Sequence, residues 1–333
     1  MKALILKRYG KSDQLAFTDI PRPTIKPTEM LVQVHAVGLN PVDNMIPKGM
    51  FKPFLQFQLP AVMGSDVAGV VVEVGSQVSR FKVGDAIFAS TFDLSMGTLA
   101  EFATVPEHAA APKPANLDFA EAASIPMVGL TAWQAIKERA QIKAGQKVFI
   151  PAGAGGIGTF AIQLAKYLGA QVGTTTSTAN VDLVKRLGAD EIIDYKKHSF
   201  EKVLQGYDMV LGTLTGDQIE KSLQIVKPGS SIVSLVGPPD AAFARARGMN
   251  FLMKFVFGLL SRKIIRQAKQ RAAEYSFFFV RPDGRQLAEI GKLIEATHIL
   301  PVIDKVFPFE QTIEALAYLE AGRAKGKVVV RVI

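Results

Sequence analysis

Residues 147–170 read KVFIPAGAGGIGTFAIQLAKYLGA, and the order of residue types along this stretch decides the fold class. KVFIPA is a short apolar run of strand length, whereas IGTFAIQLAKYLGA carries its apolar residues at helical spacing. Between them Gly153, Ala154, Gly155, Gly156, Ile157 and Gly158 form G-x-G-x-x-G, placed where a strand turns directly into a helix. Gly153 permits the tight turn, Gly155 lets a pyrophosphate approach the backbone, and Gly158 lets the helix pack close to the strand. The first turn of the helix offers backbone N–H groups to the phosphates. The spacing predicts a dinucleotide site made of these six residues.

The pattern repeats downstream. The strand QVGTTT precedes the helix NVDLVKRLGA. The strands EIIDY and DMVLGT, the helix DQIEKSLQIV and the strand SIVSLVG follow. Strands alternating with helices of this length predict βαβ units and a doubly wound parallel sheet. The second strand bears on the choice of cofactor. Sites for NAD usually end it with Asp or Glu, which holds the ribose 2′-hydroxyl. Here QVGTTTSTAN supplies hydroxyls and an amide but no carboxylate, leaving room for a 2′-phosphate at Thr176, Ser177 and Asn180. NADP(H) is therefore the expected cofactor, although the same threonines also suit an ordinary strand end.

Upstream, MLVQVHAVGL, DVAGVVVEVG and FKVGDAIFAS alternate with turn residues, as in a compact β-domain. The end of the chain returns to strand in KGKVVVRVI. A discontinuous β-rich domain, 1–123 with 281–333, is thus expected around an α/β domain at 124–280, which opens with the amphipathic helix MVGLTAWQAIKERA. The length of 333 residues agrees with two domains. Apolar content of 48% with 21% charged residues excludes a disordered chain. Cysteine is absent, which excludes disulfides, a thiol nucleophile and thiolate-held zinc. No export signal is legible at the N-terminus, so the cytoplasm is the expected location.

Several segments together carry a family resemblance: GLNPVD at 38–43, GSDVAGVVVEVGSQVSRFKVGD at 64–85, GLTAW at 129–133, AGAGGIG at 152–158, LGADEIIDY at 187–195 and GKVVV at 326–330. The chain resembles the medium-chain dehydrogenase/reductase superfamily, in its zinc-independent quinone oxidoreductase branch. The resemblance implies a GroES-like substrate domain, a Rossmann cofactor domain, NADPH as reductant, and quinones or α,β-unsaturated carbonyls as substrates. It further implies that Asn40 faces the nicotinamide ribose or the substrate oxygen, and that Thr131 touches the nicotinamide. Tyr195 would lie near the 2′-phosphate and Lys327 near the cofactor, with Gly237 and Phe279 where later strands end. Metal-dependent relatives carry Cys where Asn40 stands and His-Glu where Ser65-Asp66 stands, so no metal is expected. A conjugated acceptor delocalises incoming hydride charge onto its own oxygen, and hydrogen bonds can replace a Lewis acid. Met45 and Val181 replace a Tyr and a Lys common in this branch, so no general acid is assigned. Asp43 and Asp66 are expected to be structural. Phe51, Phe54, Phe57 and Phe92 are candidates to line an apolar cleft.

Between Asp240 and Glu274 there are eight basic residues and no acidic one, which is nearly the whole net charge of +9. The segment reads as a helical insertion at about 238–274. Either it roofs the substrate cleft with Met249, Phe251, Phe255 and Phe257, or residues 245–271 rest on an anionic membrane. No nucleic-acid motif accompanies the charge, and none is expected as a partner. The apolar strand YSFFFV at 275–280 falls at the sheet edge, where pairing with its copy would give a homodimer. The expected activity is hydride transfer to a small apolar electrophile. The rivals are a zinc-free alcohol or enoyl-thioester reductase, and an NADPH-sensing membrane-surface protein with little turnover.

Overall fold

A computed structural model describes residues 1–10, 14–52, 54–55, 58–94 and 96–333. The chain divides into two compact units, Met1–Leu130 with Val280–Ile333, and Thr131–Phe279. The first boundary therefore falls within a helix near residue 130, about one helix later than the composition change at 124 suggests.

The first unit opens with β1 (Lys2–Leu6), β2 (Leu15–Asp19), β3 (Glu29–Leu39) and α1 (Pro41–Met45). It continues through β4 (Ala61–Val62), β5 (Asp66–Val74), β6 (Ala86–Ser90), β7 (Phe102–Pro106) and β8 (Ala110–Pro112) to α2 (Phe119–Ala123) and α3 (Pro126–Trp133). β3 is apolar almost throughout and buried along nearly its whole length. It holds the middle of a seven-stranded sheet, pairing antiparallel with β5 and β7. α2 rests on β3 at Gly38, where a Cβ would run into the carbonyl oxygen of Ala123. No other residue fits there. α3 carries only the first half of the helix read at 127–140, because residues Gln134–Arg139 open into a wide π-turn closed by Ala140 N to Ala135 O.

The second unit contains β9 (Lys147–Ile150), α4 (Gly156–Tyr167), β10 (Gln171–Thr176), α5 (Val181–Arg186), β11 (Glu191–Asp194), β12 (Tyr207–Gly212), α6 (Gln218–Ser222), β13 (Val226–Ser234), α7 (Ala241–Ala246), α8 (Phe251–Gln270) and β14 (Glu274–Phe277). Every neighbouring pair in its sheet is parallel, in the order β11-β10-β9-β12-β13-β14. This is the doubly wound order in which the chain reverses direction across the sheet after its third strand. Phe149 packs on Phe200 at 4.7 Å and on Tyr207 at 5.7 Å in the unit's core. Gly173 is needed because the Tyr207 ring occupies the space of a Cβ, and the Tyr207 hydroxyl donates to Glu191 at 2.9 Å. The edge strand is shorter than 275–280: pairing stops at Phe277, beyond which Phe278 is buried. The chain then returns to the first unit as α9 (Gly284–Glu295), β15 (Ile303–Pro308), α10 (Thr312–Glu320) and β16 (Lys327–Arg331), and β16 pairs antiparallel with β3.

Candidate functional site: a dinucleotide cradle and a buried charge cluster

In the second unit, the glycine turn occupies the space between β9 and α4. Ala152 adopts φ of +54°, and Gly153 N donates back to Thr175 O at 2.9 Å, which reverses the chain. A Cβ at Gly153 would overlap the Thr174 hydroxyl. One at Gly158 would lie 2.5 Å from Ala152 O and 2.7 Å from the Gly153 Cα. These two glycines are therefore packing requirements of the turn itself. Gly155 differs. A Cβ there meets only Ala152 O, at 3.3 Å. Gly155, Gly156 and Ile157 are half-buried, while Ala154 and Gly158 are buried. The N–H groups of Gly156, Ile157 and Gly158 start α4 and have no partner within the helix. The arrangement is a concave, positively polarised cradle, suited to a pyrophosphate.

At the end of β10 the hydroxyls separate by role. Thr174 Oγ1 donates to Ile150 O at 2.6 Å, and Thr175 Oγ1 accepts from Ala152 N at 3.1 Å, so both brace the turn. Thr176 Oγ1 and Asn180 Oδ1 are buried without a hydrogen-bond partner. Orphaned polar atoms are costly when buried, and two beside a phosphate cradle mark a place for a ligand. Asp194 ends the neighbouring strand β11 opposite Thr176. Its carboxylate accepts from Thr178 Oγ1 at 2.6 Å and Lys196 N at 3.0 Å, with the Lys197 ammonium at 3.7 Å. The Thr178 hydroxyl holds its pKa below the usual carboxylate range. Tyr195 is largely exposed next to it.

The other candidates in this unit make internal contacts or are buried. Gly237 has no room for a Cβ, which would meet Tyr275 Oη and Ile219 Cδ1, and its N–H donates to Ser234 Oγ at 2.9 Å. Phe279 packs against Phe243 at 5.1 Å and Phe277 at 5.5 Å. Thr131 is buried in α3. Of the four residues read as a roof, Phe257 is buried, Met249 is half-buried, and Phe251 and Phe255 stand exposed. Among the candidate lining aromatics, Phe51 meets Phe92 edge-on at 6.5 Å and Phe54 at 6.3 Å, and Phe57 lies outside the described residues.

In the first unit, Asn40, Asp43, Asp66 and Lys327 come together, all buried. Asn40 is the N-cap position of α1, with Pro41 following, and its N–H donates to Asp43 Oδ2 at 2.8 Å. The Asn40 amide nitrogen donates to Asp66 Oδ2 at 3.0 Å. The Lys327 ammonium donates to Asn40 Oδ1 at 2.6 Å and Leu39 O at 2.8 Å, and lies 3.6 Å from Asp66 Oδ2. Asp66 Oδ1 accepts from Met127 N at 3.1 Å, tying β5 to α3. Lys327 thus bridges β16 to the β3–α1 junction. Burial lowers its pKa, and burial raises that of Asp66 against the pull of the ammonium. Asp43 is pushed up to about 7, chiefly by burial, and its Oδ1 has no partner. A proton on Asp43 leaves Asp66 and Lys327 as the one compensated ion pair of the cluster.

A metal would not fit these residues. Both amide atoms of Asn40 and both carboxylate oxygens of Asp66 are engaged, and an ammonium already stands where a cation would be needed. Spacing alone did not reveal that Lys327 reaches Asn40, nearly three hundred residues away. The only signal was a lysine opening the last strand of an otherwise apolar KVVV run.

Together the parallel sheet with its glycine cradle and the β-rich unit define a two-unit nucleotide-dependent dehydrogenase or reductase. Residues 26–115 match the family described as alcohol dehydrogenase GroES-like domain, and residues 187–330 that described as zinc-binding dehydrogenase. The chain is 36% identical to the 2-methylene-furan-3-one reductase of Solanum lycopersicum, over 100% of this chain and 79% of that protein. It is 35% identical to the chloroplastic NADPH-dependent alkenal/one oxidoreductase of Arabidopsis thaliana, over 99% and 79%. The structure of the quinone oxidoreductase from Coxiella burnetii superposes with a TM-score of 0.85 at 30% identity, covering 100% of this chain and 99% of that one. The chain belongs to the medium-chain dehydrogenase/reductase superfamily, in its quinone oxidoreductase branch.

Proposed function

We propose that the chain is an NADPH-dependent, metal-free reductase of quinones and α,β-unsaturated carbonyls that works as a homodimer. The observation that carries the reading is the cradle at Gly155–Ile157, set beside a strand end with orphaned Thr176 and Asn180 oxygens and no carboxylate. Backbone N–H groups of Gly156, Ile157 and Gly158 bind the pyrophosphate. Thr176, Ser177 and Asn180 receive the 2′-phosphate, and Asp194 is kept from opposing it by Thr178 and Lys197. When bound, the nicotinamide supplies the hydride. Substrates of the related reductases named above are conjugated acceptors, which stabilise the developing negative charge without a Lewis acid.

The metal-free assignment rests on Asn40 and Asp66 being fully engaged, with Lys327 supplying the local positive charge. Within this unit, Asp43 fixes the Asn40 backbone and Lys327 fixes its amide. The proposed dimer contact is the outer edge of β14, which ends the six-stranded sheet.

The test is NADPH absorbance against a panel of quinones, enals, enones and simple aldehydes, with and without chelator. Oxidation by conjugated acceptors, unaffected by chelator and faster than with NADH, is expected. Failure of every conjugated acceptor would sink the reductase reading, and loss of turnover on chelation would sink the metal-free one.

A further inference from the structure

The basic insertion folds as α7 and the twenty-residue α8 (Phe251–Gln270), which is anchored on one side. Phe257, Ser261, Ile264 and Ala268 are buried, at the i, i+4, i+7 and i+11 spacing of a single face. Ile264 and Ala268 join the core of the second unit with Phe149 and Tyr207. The opposite face is exposed and divided along its length rather than around it. Its first half presents Phe251, Leu252, Phe255, Val256, Leu259 and Leu260, with Phe251 82% and Leu252 65% exposed. Its second half presents Arg262, Lys263, Arg266 and Lys269, all exposed. At about 100° per residue these two sets share one side of the helix, so about 15 Å of apolar surface continues into about 15 Å of cationic surface. Lys263 pairs with Glu220 at 3.3 Å, and the segment itself contains no acidic residue.

We infer that the exposed face of α8 docks the protein on an anionic phospholipid surface, with the apolar half entering among the acyl chains and the cationic half lying on the headgroups. Charge complementarity selects this occupant. A second copy paired over the apolar halves would leave both acid-free cationic runs without a counter-charge. A nucleic acid would satisfy the arginines but leave six large apolar side chains without a partner. An anionic bilayer offers acyl chains and phosphates within a few ångströms of each other, in the order the helix presents them. No helix among the described residues is long and apolar enough to cross a membrane, and the contact inferred is peripheral. This inference stands on α8 alone and is independent of the reductase reading.

The test is flotation of the full chain with vesicles of phosphatidylcholine alone and with about one-third phosphatidylglycerol, at low salt and at about 0.5 M. Binding to the anionic vesicles only, weakened by salt, is expected. Each basic residue at the surface is worth roughly fivefold in partitioning, so R262Q/R266Q/K269Q loses on the order of 100-fold. F251S/F255S loses a similar factor by removing inserted rings. All five side chains are exposed, so melting temperature and NADPH binding should be unchanged and should report that the fold is intact. Absence of the wild type from anionic vesicles overturns the inference, as does equal flotation of either variant. An oligomer that F251S/F255S dissociates assigns the face to a second copy. Tighter retention on single-stranded DNA than on vesicles at the same salt assigns it to nucleic acid. Either of these results also overturns it.

Discussion

Lys327→Met isolates what the buried ammonium contributes. Lys327 is 5% exposed and Asp66 is fully buried, so neither charge is screened by water. The substitution removes the hydrogen bonds to Leu39 O at 2.8 Å and Asn40 Oδ1 at 2.6 Å, and the ion pair at 3.6 Å. Met fills most of the lysine volume, so the cost is electrostatic rather than a cavity. Removing one partner of a buried pair costs about 3–5 kcal/mol, because the other charge is left uncompensated. For a chain of this size that corresponds to a melting temperature lower by roughly 4–7 °C.

The penalty should depend on pH with a definite sign. Without the ammonium, the Asp66 carboxyl is held further above its unfolded value than it already is. A raised carboxyl binds more protons in the folded state, so stability is retained in acid and lost as pH rises. The deficit of Lys327→Met should therefore be largest near about pH 8 and shrink towards about pH 5. Asp66→Asn added to Lys327→Met removes the stranded charge and should recover at least about 2 kcal/mol in a double-mutant cycle. Thermal and denaturant unfolding across that pH range are the assays. A single-variant cost below about 1 kcal/mol, or a double variant no more stable than the single, would refute the reasoning that Lys327 compensates Asp66.

Three further outcomes follow from the same geometry. Gly155→Ala should lower the melting temperature little yet weaken NADPH binding at least about tenfold, since its methyl meets only Ala152 O, tightly at 3.3 Å, and enters the cradle, whereas Gly153→Ala should lower both by overlapping Thr174; fluorescence titration beside calorimetry separates them. Ser177→Glu should reverse the preference from NADPH towards NADH, by on the order of 100-fold in kcat/KM, because a carboxylate repels the 2′-phosphate and accepts a ribose hydroxyl; an unchanged ratio in steady-state kinetics contradicts the placement of the phosphate. Asp43, pushed up to about 7 by burial, should make the wild type lose up to ~4 kcal/mol as pH rises from about 4 to about 7, while Asp43→Asn, which keeps an acceptor for Asn40 N, should flatten that slope in denaturant titrations.

The parallel sheet and its cradle were legible because they depend on local signals. A glycine run between an apolar strand and an amphipathic helix has one comfortable geometry, and G-x-G-x-x-G announces it within a dozen residues. What stayed hidden depends on distant partners. Sequence assigns Gly153, Gly155 and Gly158 to the motif, but only the structure distinguishes two glycines with no room for a Cβ from one whose Cβ would meet a single carbonyl oxygen. Gly237 and Phe279, expected near the nicotinamide by resemblance, have packing neighbours in Tyr275 and Phe243 that the sequence did not announce. The edge strand at 274–277 is shorter than its apolar run because Phe277 and Phe278 turn inward, and periodicity cannot separate a buried strand end from an exposed one.

The cluster around Asn40 bears on the metal-free reading proposed for a fold matched by a zinc-binding dehydrogenase family. A cation site needs anionic or basic ligands with free lone pairs, and those ligands cost desolvation energy unless the cation is present. Here that demand is met within the chain: the Lys327 ammonium faces the Asp66 carboxylate, and the neutral Asn40 amide lies between them, donating to one and accepting from the other. The Lys327 ammonium, held by its ion pair with Asp66, is a cation that cannot be exchanged or chelated. It also cannot offer an open coordination position to a substrate oxygen, because it is fixed by Leu39 O and Asn40 Oδ1. An arrangement of this kind holds the backbone that carries Asn40 but gives no strong electrophile. On the metal-free reading proposed above, the reaction uses acceptors that spread the arriving charge over their own atoms, as quinones and enones do. On that reading, a preference for conjugated acceptors over simple aldehydes is expected to follow from which cation the fold contains.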